Sequence, residues 1–258
     1  MGSSGELTDQ NFWSEQWKER KARRVLQRVL HGKAHGKGGG FLSMWQRYVG
    51  RKGFDGESVL EIGGAVSQYL IDFALEGGAV VALDYNAEGI QQTQELFEQR
   101  NVRGRTILAD ALTFAGERFD VVTHWGVLEH FEDPLPIIEA SGRLVKPDGV
   151  VVFGMPNLEA AGAALWKRYS PSNFSAHICH SDAGVDAACK KAGLRLDATY
   201  RIGMPLVRMA PLESRGIGAL VVNATHALLC AVGAAVPTIY RYTPAALANY
   251  RLFIARPI

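Results

Sequence analysis

Three acidic side chains follow successive apolar runs of the chain, and the first lies beside a turn of small residues. Glu61 precedes the turn GGAVS at 63–67, Asp84 follows about twenty residues later, and Asp110 ends the next run. A turn of this kind lets backbone N–H groups approach a ligand closely. Asp84 can accept hydrogen bonds from both hydroxyls of a ribose, and Tyr85 can cover an adenine face. Because Asp110 can accept from an adenine amino group, the pattern indicates a nucleoside site that differs from an ordinary dinucleotide site.

Histidines near two later runs are candidates for a general base, because their ordinary pKa lies nearest neutrality. His124 ends the fourth run, His130 follows it in the segment LEHF, and His177 comes after the fifth. For His124 and His130 the alternative is a structural role. Glu129 could also act as a base, although such a residue more often pairs with a cation. His177 and His180 lie three apart without a carboxylate or cysteine pair at ligand spacing, so no metal site is expected.

The order of apolar and amphipathic stretches predicts an α/β fold. Helical spacing alternates with short apolar runs, which is typical of parallel strands joined by helical crossovers and covered on both faces. Ligands bind such sheets beyond the carboxyl ends of the strands, where the acidic and histidine side chains are predicted to lie. The predicted strands are 58–63, 79–85, 104–110, 119–126, 149–155, 195–202 and 250–256, and the predicted helices are 69–76, 88–99, 135–145 and 182–192.

Several motifs occur together in one order along the chain. They are the E-x-G-G turn at 61–64, Asp84, Asp110, the segment GVLEHFEDP at 126–134 and KPDG at 146–149. In this combination the sequence resembles the class I S-adenosylmethionine-dependent methyltransferases, most closely the methyltransferase-11/23 type domain of the UbiG- and UbiE-like enzymes. The similarity covers about Phe54 to Leu194. It implies a Rossmann-like, seven-stranded, mostly parallel sheet with helices on both faces and an antiparallel last strand.

The resemblance also implies S-adenosylmethionine as the cofactor and S-adenosylhomocysteine as its product. Gly63 and its neighbours would hold the methionine end, Asp84 the ribose and Asp110 the adenine. The family usually has G-x-G-x-G, whereas Ala65 and Ser67 occupy the later glycine positions here; both are small enough to keep the turn. The expected cofactor-binding residues are Glu61, Gly63, Gly64, Ala65, Asp84, Tyr85, Asp110, Ala111, His124, Trp125 and Gly126, and the expected catalytic residues are His130, His124 and His177.

The composition is that of an ordinary globular protein. Of 258 residues, 47% are hydrophobic and 21% charged, which predicts one large domain or one domain with an appendage. The net charge of +2 gives no support to a nucleic-acid binder. The three cysteines have no CxxC spacing, which argues against a disulfide framework or a zinc site. No signal peptide is expected, and a cytoplasmic location fits best.

The first 40 residues are predicted to form a separate amphipathic segment. Aromatic residues precede a stretch at 18–37 that is rich in lysine and arginine, and helical spacing predicts a helix over 11–31. The segment either packs on the domain, for instance as a lid, or faces an anionic membrane or substrate. GKGGG at 36–40 would act as a flexible joint. Residues 41–258 would form the methyltransferase domain.

An insertion at 205–249 separates the last two predicted strands. Within it, residues 216–240 contain no Asp, Glu, Lys or Arg, and they could form a helix about 37 Å long at 1.5 Å per residue. Three interpretations stay open: a transmembrane helix, a cap buried on the sheet or on a second subunit, and an element that meets a lipid surface or acceptor. The insertion therefore leaves open both a homodimer and a peripheral contact with a membrane.

The sequence favours methyl transfer to a small-molecule or lipid-like acceptor, most readily at oxygen with a histidine base. Methylation of nitrogen or carbon in a natural product or sugar stays open, because no acceptor motif is visible. A noncatalytic module that kept the fold is an alternative of another class. A nicotinamide oxidoreductase would require a G-x-G-x-x-G turn, which residues 63–67 lack.

Overall fold

The structure is a computed structural model that describes residues 6–8, 11–15, 40–50, 53–209, 211–236 and 242–258. Residues 11–15 are helical, in agreement with the first part of the helix predicted over 11–31. The rest of that predicted helix, the basic stretch and most of the glycine joint lie outside the described residues.

Besides the helical residues 11–15, seven strands and eight α-helices are described. The strands are β1 (Ser58–Ile62), β2 (Ala79–Asp84), β3 (Gly104–Leu108), β4 (Phe119–Trp125), β5 (Val145–Pro156), β6 (Leu194–Pro205) and β7 (Ala248–Pro257). The helices are α1 (Gly40–Val49), α2 (Gln68–Leu75), α3 (Ala87–Arg100), α4 (Leu135–Leu144), α5 (Ala163–Tyr169), α6 (Pro171–Ser175), α7 (Asp182–Lys191) and α8 (Ile217–Ala235), with a 3₁₀ turn at Leu128–His130.

The strands form one sheet in the order β3-β2-β1-β4-β5-β7-β6. The first five strands are parallel, and β7 runs antiparallel to both β5 and β6. The predicted fold is confirmed, including the antiparallel last strand. Strand order reverses between β1 and β4, so the carboxyl ends of these two strands border the crevice where ligands bind in such sheets.

Apolar side chains cover both faces of the sheet. Trp45 of α1 and Phe73 of α2 belong to a cluster on one face, whereas Ile138 of α4 and Val185 of α7 belong to a cluster on the other. Burial of these side chains removes apolar surface from water and is the main stabilising contribution. Because helices occupy both faces, the site is confined to the carboxyl edge of the sheet.

The insertion between β6 and β7 contains α8. Within the described residues, no helix has both the length and the apolarity that crossing a membrane requires. The helix is also not a buried cap: Ile217 is 83% exposed, Leu220 68% and Leu228 64%. Only Ala219 and Val222 of this helix are buried among its described side chains. The helical prediction is therefore confirmed over residues 217–235, but the interpretation as a cap buried within this chain is wrong.

Candidate active site

The turn after β1 has the tight geometry that its small residues permit. Gly63 adopts φ 66°, a left-handed conformation that favours glycine, and the N–H groups of Gly63 and Gly64 donate to Leu83 O at 2.8 and 3.2 Å. Val66 also has a positive φ, 58°, which is uncommon for a β-branched residue. Its N–H donates to Thr93 Oγ1 at 2.7 Å, which holds the turn in place. The sequence did not indicate these roles of Val66 and Thr93.

The two non-glycine positions of the motif have structural tasks of their own. Ala65 N–H donates to Asp84 Oδ2 at 3.2 Å, which ties the turn to the end of β2. Ser67 caps α2, because its hydroxyl oxygen accepts from the N–H groups of Tyr69 and Leu70. The same hydroxyl donates to Glu61 Oε2 at 2.6 Å. The departure from G-x-G-x-G thus leaves a stabilised turn rather than a disrupted one.

Burial changes the acidity of two of the carboxyl groups around this turn. It raises the pKa of Glu61 to about 8, although the Ser67 hydroxyl partly opposes the shift. It raises the pKa of Asp84 to about 6, against the opposing effect of the N–H groups of Asn86 and Ala65. Asp110 accepts the N–H of Leu112 at 2.9 Å at the start of the next turn. Each carboxyl group is therefore oriented by the backbone or by a hydroxyl.

A cavity of about 470 Å³ lies at the carboxyl edge of the sheet. Among the predicted site residues, the structure places eleven in its wall and leaves out Gly64 and His124. The eleven are Glu61, Gly63, Ala65, Asp84, Tyr85, Asp110, Ala111, Trp125, Gly126, the 3₁₀-turn residue His130, and His177 from the loop after α6. Lining residues that the sequence did not single out include Glu6, Tyr250, Asn173 and Met209.

His124 lies in the core instead of the cavity. Its ring stacks on Phe153 with 4.8 Å between centroids, and neither ring nitrogen has a hydrogen-bond partner among the described residues. Burial lowers its pKa to about 3, so the ring is neutral at ordinary pH. Successive residues of a strand point to opposite faces, and the next residue, Trp125, takes the cavity side. We therefore assign His124 neither a cofactor contact nor a proton transfer.

His130, His177 and Glu129 come together in the cavity wall. The histidine rings lie 4.8 Å apart between centroids, and one ligating atom from each of the three residues lies within 4.8 Å of the others. Burial raises the pKa of Glu129 to about 8 and lowers that of His130 to about 4, the latter with help from His177. Neutral forms of all three groups thus dominate at pH 7.

The hydrogen bonds of the two histidines define their tautomers. His130 Nδ1 lies 2.9 Å from Ala176 O, and His177 Nδ1 lies 2.7 Å from Asn173 O. Because a carbonyl oxygen only accepts, each Nδ1 carries the proton and each Nε2 has a lone pair. His180 has a different role: its Nε2 bonds the carbonyls of Leu128 and Phe131, which holds the 3₁₀ turn.

Several of the described N-terminal residues form part of the cavity wall. Glu6 pairs with Phe131 as an isolated β-bridge, and Leu7 N–H donates to His130 O at 2.7 Å. Trp13 meets the His130 ring edge-on, with 5.2 Å between centroids. We name residues 6–8 and 11–15 the strap. A lid was one of the roles that the sequence left open for residues 1–40, and the strap residues Glu6, Phe12 and Trp13 line the cavity.

Comparison with known proteins places the chain in a family. The profile of a family described as a methyltransferase domain, of the methyltransferase-23 group, matches residues 17–199. The chain belongs to this family. The ubiquinone biosynthesis O-methyltransferase of Pseudomonas fluorescens is 37% identical over 113 residues, which make up 42% of this chain and 47% of that protein. The chain spans about half the length of the curated relatives it matches.

Solved structures of low sequence identity share the fold. Magnesium protoporphyrin IX methyltransferase (ChlM) from Synechocystis PCC 6803, solved with bound SAH, has a TM-score of 0.53 at 15% identity and covers 83% of this chain and 79% of its own. The PH0226 protein from Pyrococcus horikoshii OT3 has a TM-score of 0.56 at 16% identity and covers 90% and 91%. These similarities concern the architecture alone.

The lining residues of this methyltransferase-family domain fit S-adenosylmethionine. Glu61 is buried, and no lysine or arginine is found among the described residues that line the cavity, so a ligand ammonium group matches its carboxyl group. Asp84 and Asp110 offer acceptor oxygens at the ends of the next two strands, and Tyr85 also lines the cavity. The set is therefore suited to an adenosine that carries a positively charged amino-acid tail.

Proposed function

We propose that the protein transfers a methyl group from S-adenosylmethionine to a hydroxyl group of a small or lipid-like acceptor. The observation that carries this proposal is one cavity whose wall contains two chemically different groups of residues. Carboxyl groups from three successive strands form one group, and the neutral histidines His130 and His177 form the other. We call the parts of the cavity beside these groups the cofactor end and the acceptor end. The similarity to an O-methyltransferase from Pseudomonas fluorescens supports oxygen as the acceptor atom.

The protein contributes mainly by positioning. When bound, the cofactor supplies a methyl group that its sulfonium already activates. The chain has to hold the acceptor in line with that methyl group and keep water out, which can account for about 7–11 kcal/mol of barrier lowering. Trp125, Tyr250 and Trp13 present large rings to the cavity, and Tyr250 is fixed by a 3.0 Å bond from its hydroxyl to Gly154 O. These rings are suited to enclosing a flat or apolar acceptor.

His130 is the proposed base. Its Nε2 has a lone pair at neutral pH, whereas Glu129 is mostly protonated there and cannot accept. A proton taken up at Nε2 would create an imidazolium beside the Glu129 carboxyl group, whose carbonyl oxygen can accept a hydrogen bond from the protonated ring while the carboxyl group keeps its own proton. We thus assign His130 to proton transfer and Glu129 to stabilisation of the protonated ring.

Titration calorimetry with S-adenosylmethionine and S-adenosylhomocysteine, followed by transfer of a labelled methyl group to a panel of hydroxylated acceptors, tests the proposal. We expect binding of both compounds and label in an acceptor whose hydroxyl group is free, with none in the matching methyl ether. Binding without transfer to any acceptor, or label on nitrogen or carbon, would contradict O-methylation. Absence of binding would instead favour a noncatalytic module.

The exposed face of α8 is the proposed contact with a lipid surface. Helical spacing places Ile217, Val221, Ala224, Leu228, Ala231 and Ala235 along one stripe, and all six are exposed. Arg215 precedes the helix and is exposed. Arg168 is a second cation near the start of α8. It lies over the ring of Tyr169, and the hydroxyl group of Tyr169 is so close to Gly218 that a Cβ atom there would not fit. An apolar stripe with cations at one end complements an anionic bilayer surface.

The position of α8 also favours a lipid surface over a second copy of the chain. The segment before α8 is anchored on α5, because the N–H groups of Glu213 and Ser214 donate to Tyr169 O. Trp166 of α5 in turn packs edge-on against His177 in the cavity wall. The apolar stripe is therefore linked to the acceptor end of the cavity, where a lipid-like acceptor would enter.

Leu228→Glu should lower binding to vesicles of phosphatidylcholine and phosphatidylglycerol about tenfold, because it removes one buried leucine and adds a repelled charge. Co-sedimentation measures the effect. Leu108→Glu is the matched control, since Leu108 is an exposed leucine on β3 that is 56% exposed, and it should leave vesicle binding unchanged. A wild-type protein that ignores vesicles but forms a dimer sensitive to Leu228→Glu would identify the stripe as a subunit interface.

A further inference from the structure

The strap bridges both ends of the cavity. At the cofactor end, the hydroxyl group of Tyr85 donates to Glu6 Oε1 at 2.9 Å, and Asn86 Nδ2 donates to Ser14 Oγ at 2.9 Å. At the acceptor end, the backbone of the strap is bonded to His130. Its closed position therefore depends on contacts that flank the place of the proposed cofactor.

Closure of the strap brings an additional carboxyl group into an acidic cavity. Asp110 and Asp84 both repel the carboxylate of Glu6, and this repulsion adds to the effect of burial in raising its pKa. Tyr85 and Thr8 are the hydrogen-bond partners of Glu6, and neither brings a positive charge. The lining residues described include five carboxyl groups and no lysine or arginine; the five are Glu6, Glu61, Asp84, Asp110 and Glu129.

We propose that Glu6 is a residue of the cofactor site that makes closure of the strap depend on the positive charge of the bound cofactor. The inference rests on the proposed use of S-adenosylmethionine. It adds a residue that positions the strap and selects between substrate and product forms of the cofactor.

The physical reason is the charge difference between the two forms. S-adenosylmethionine carries a sulfonium charge that S-adenosylhomocysteine lacks. With the sulfonium present, the approach of Glu6 adds an attraction that offsets its repulsion by Asp84 and Asp110. After methyl transfer the attraction is lost, while the repulsion stays. The closed strap is then disfavoured, and the product can leave.

Glu6→Gln tests the proposal, because it removes the charge of this side chain and keeps its length. Calorimetry on the entire 258-residue chain measures the preference as the ratio of the dissociation constants for S-adenosylhomocysteine and S-adenosylmethionine. Glu6→Gln should lower this ratio about three- to tenfold. Sinefungin, an unreactive analogue with an amine in place of the methylsulfonium group, should behave like S-adenosylmethionine. Glu15→Gln is the matched control: Glu15 is an exposed carboxylate of the same strap that does not line the cavity, so the preference should stay as in the wild type.

Hydrogen exchange of the peptide that contains residues 6–15 gives a second readout. In the wild type, sinefungin should slow exchange of the Leu7 amide more than S-adenosylhomocysteine does, and Glu6→Gln should remove the difference. If Glu6→Gln lowers the affinity for all three compounds equally, or leaves the preference unchanged, the proposed role of Glu6 is wrong. The proposal that the protein binds the cofactor would not be affected by either result. A wild-type protein that binds none of the three would overturn the proposed function as well.

Discussion

Replacing Asp84 with asparagine or alanine should weaken binding of S-adenosylmethionine more than tenfold. The carboxylate is suited to accept two charge-assisted hydrogen bonds from ribose hydroxyl groups, and such bonds are about twice as strong as neutral ones. It also accepts the N–H groups of Ala65 and Asn86. Asparagine preserves the shape and one acceptor oxygen, so Asp84→Asn separates the loss of charge from disruption of the turn.

The pH dependence of binding provides a sharper test of the same residue. Burial raises the pKa of Asp84 to about 6, so protonation below that value removes the form that accepts both hydroxyl groups. Wild-type affinity should therefore fall as pH is lowered from 7 to 5, by up to about tenfold per pH unit below the pKa. In Asp84→Asn this part of the profile should be flat. Wild-type affinity in Asp84→Asn at pH 7 would show that β2 does not hold the ribose.

Replacing His130 should lower turnover about 10²- to 10⁴-fold, which is the usual contribution of a general base. Two substitutions are informative. His130→Ala removes the ring, whereas His130→Asn keeps an N–H donor near Nδ1 for Ala176 O and removes only Nε2. We expect both variants to lose turnover while their dissociation constants for the cofactor change little. A loss of thermal stability in His130→Ala that is absent in His130→Asn would separate folding from catalysis.

The matched control for His130 is His177→Asn. This variant keeps an N–H donor for Asn173 O and should reduce turnover far less. Because the pKa of His130 is about 4, the turnover of the wild type should be flat above about pH 5. A profile that instead rises through pH 8, and loses this rise in Glu129→Gln, would assign the base to Glu129. Full turnover in His130→Asn would indicate an acceptor that needs no base.

The sheet could be predicted from sequence because each strand has its own local signal. The apolar runs at 58–63 and 79–85 each have an acidic residue near their end, and an amphipathic stretch separates them. They become β1 and β2, and the stretch between them becomes α2. The side chains along a strand point alternately to its two faces, and this alternation also determines which residues face the site. His124 and Trp125 are neighbours on β4, so only one of them could face the cavity, and the structure gives that place to Trp125.

Other parts of the site depend on contacts between distant residues, which leave no local pattern. Glu6 meets Tyr85 across 79 positions of the chain, and Tyr250 comes from the last strand. The sequence also could not predict that Glu129 has no cation near it in the described cavity wall, because the fold decides which residues line the cavity. For α8, composition indicated an apolar helix but could not distinguish a buried one from an exposed one.

The antiparallel direction of β7 has a practical consequence for fusion proteins. Tyr250, at the start of β7, pairs with Pro156 at the carboxyl end of β5, whereas Ala255 pairs with Val151 further back along that strand. The strand therefore leads away from the cavity, and a tag joined after Ile258 would project from the opposite edge of the domain. A tag joined just before Glu6 would lie beside the cavity wall, so a tag after Ile258 is better suited to affinity purification.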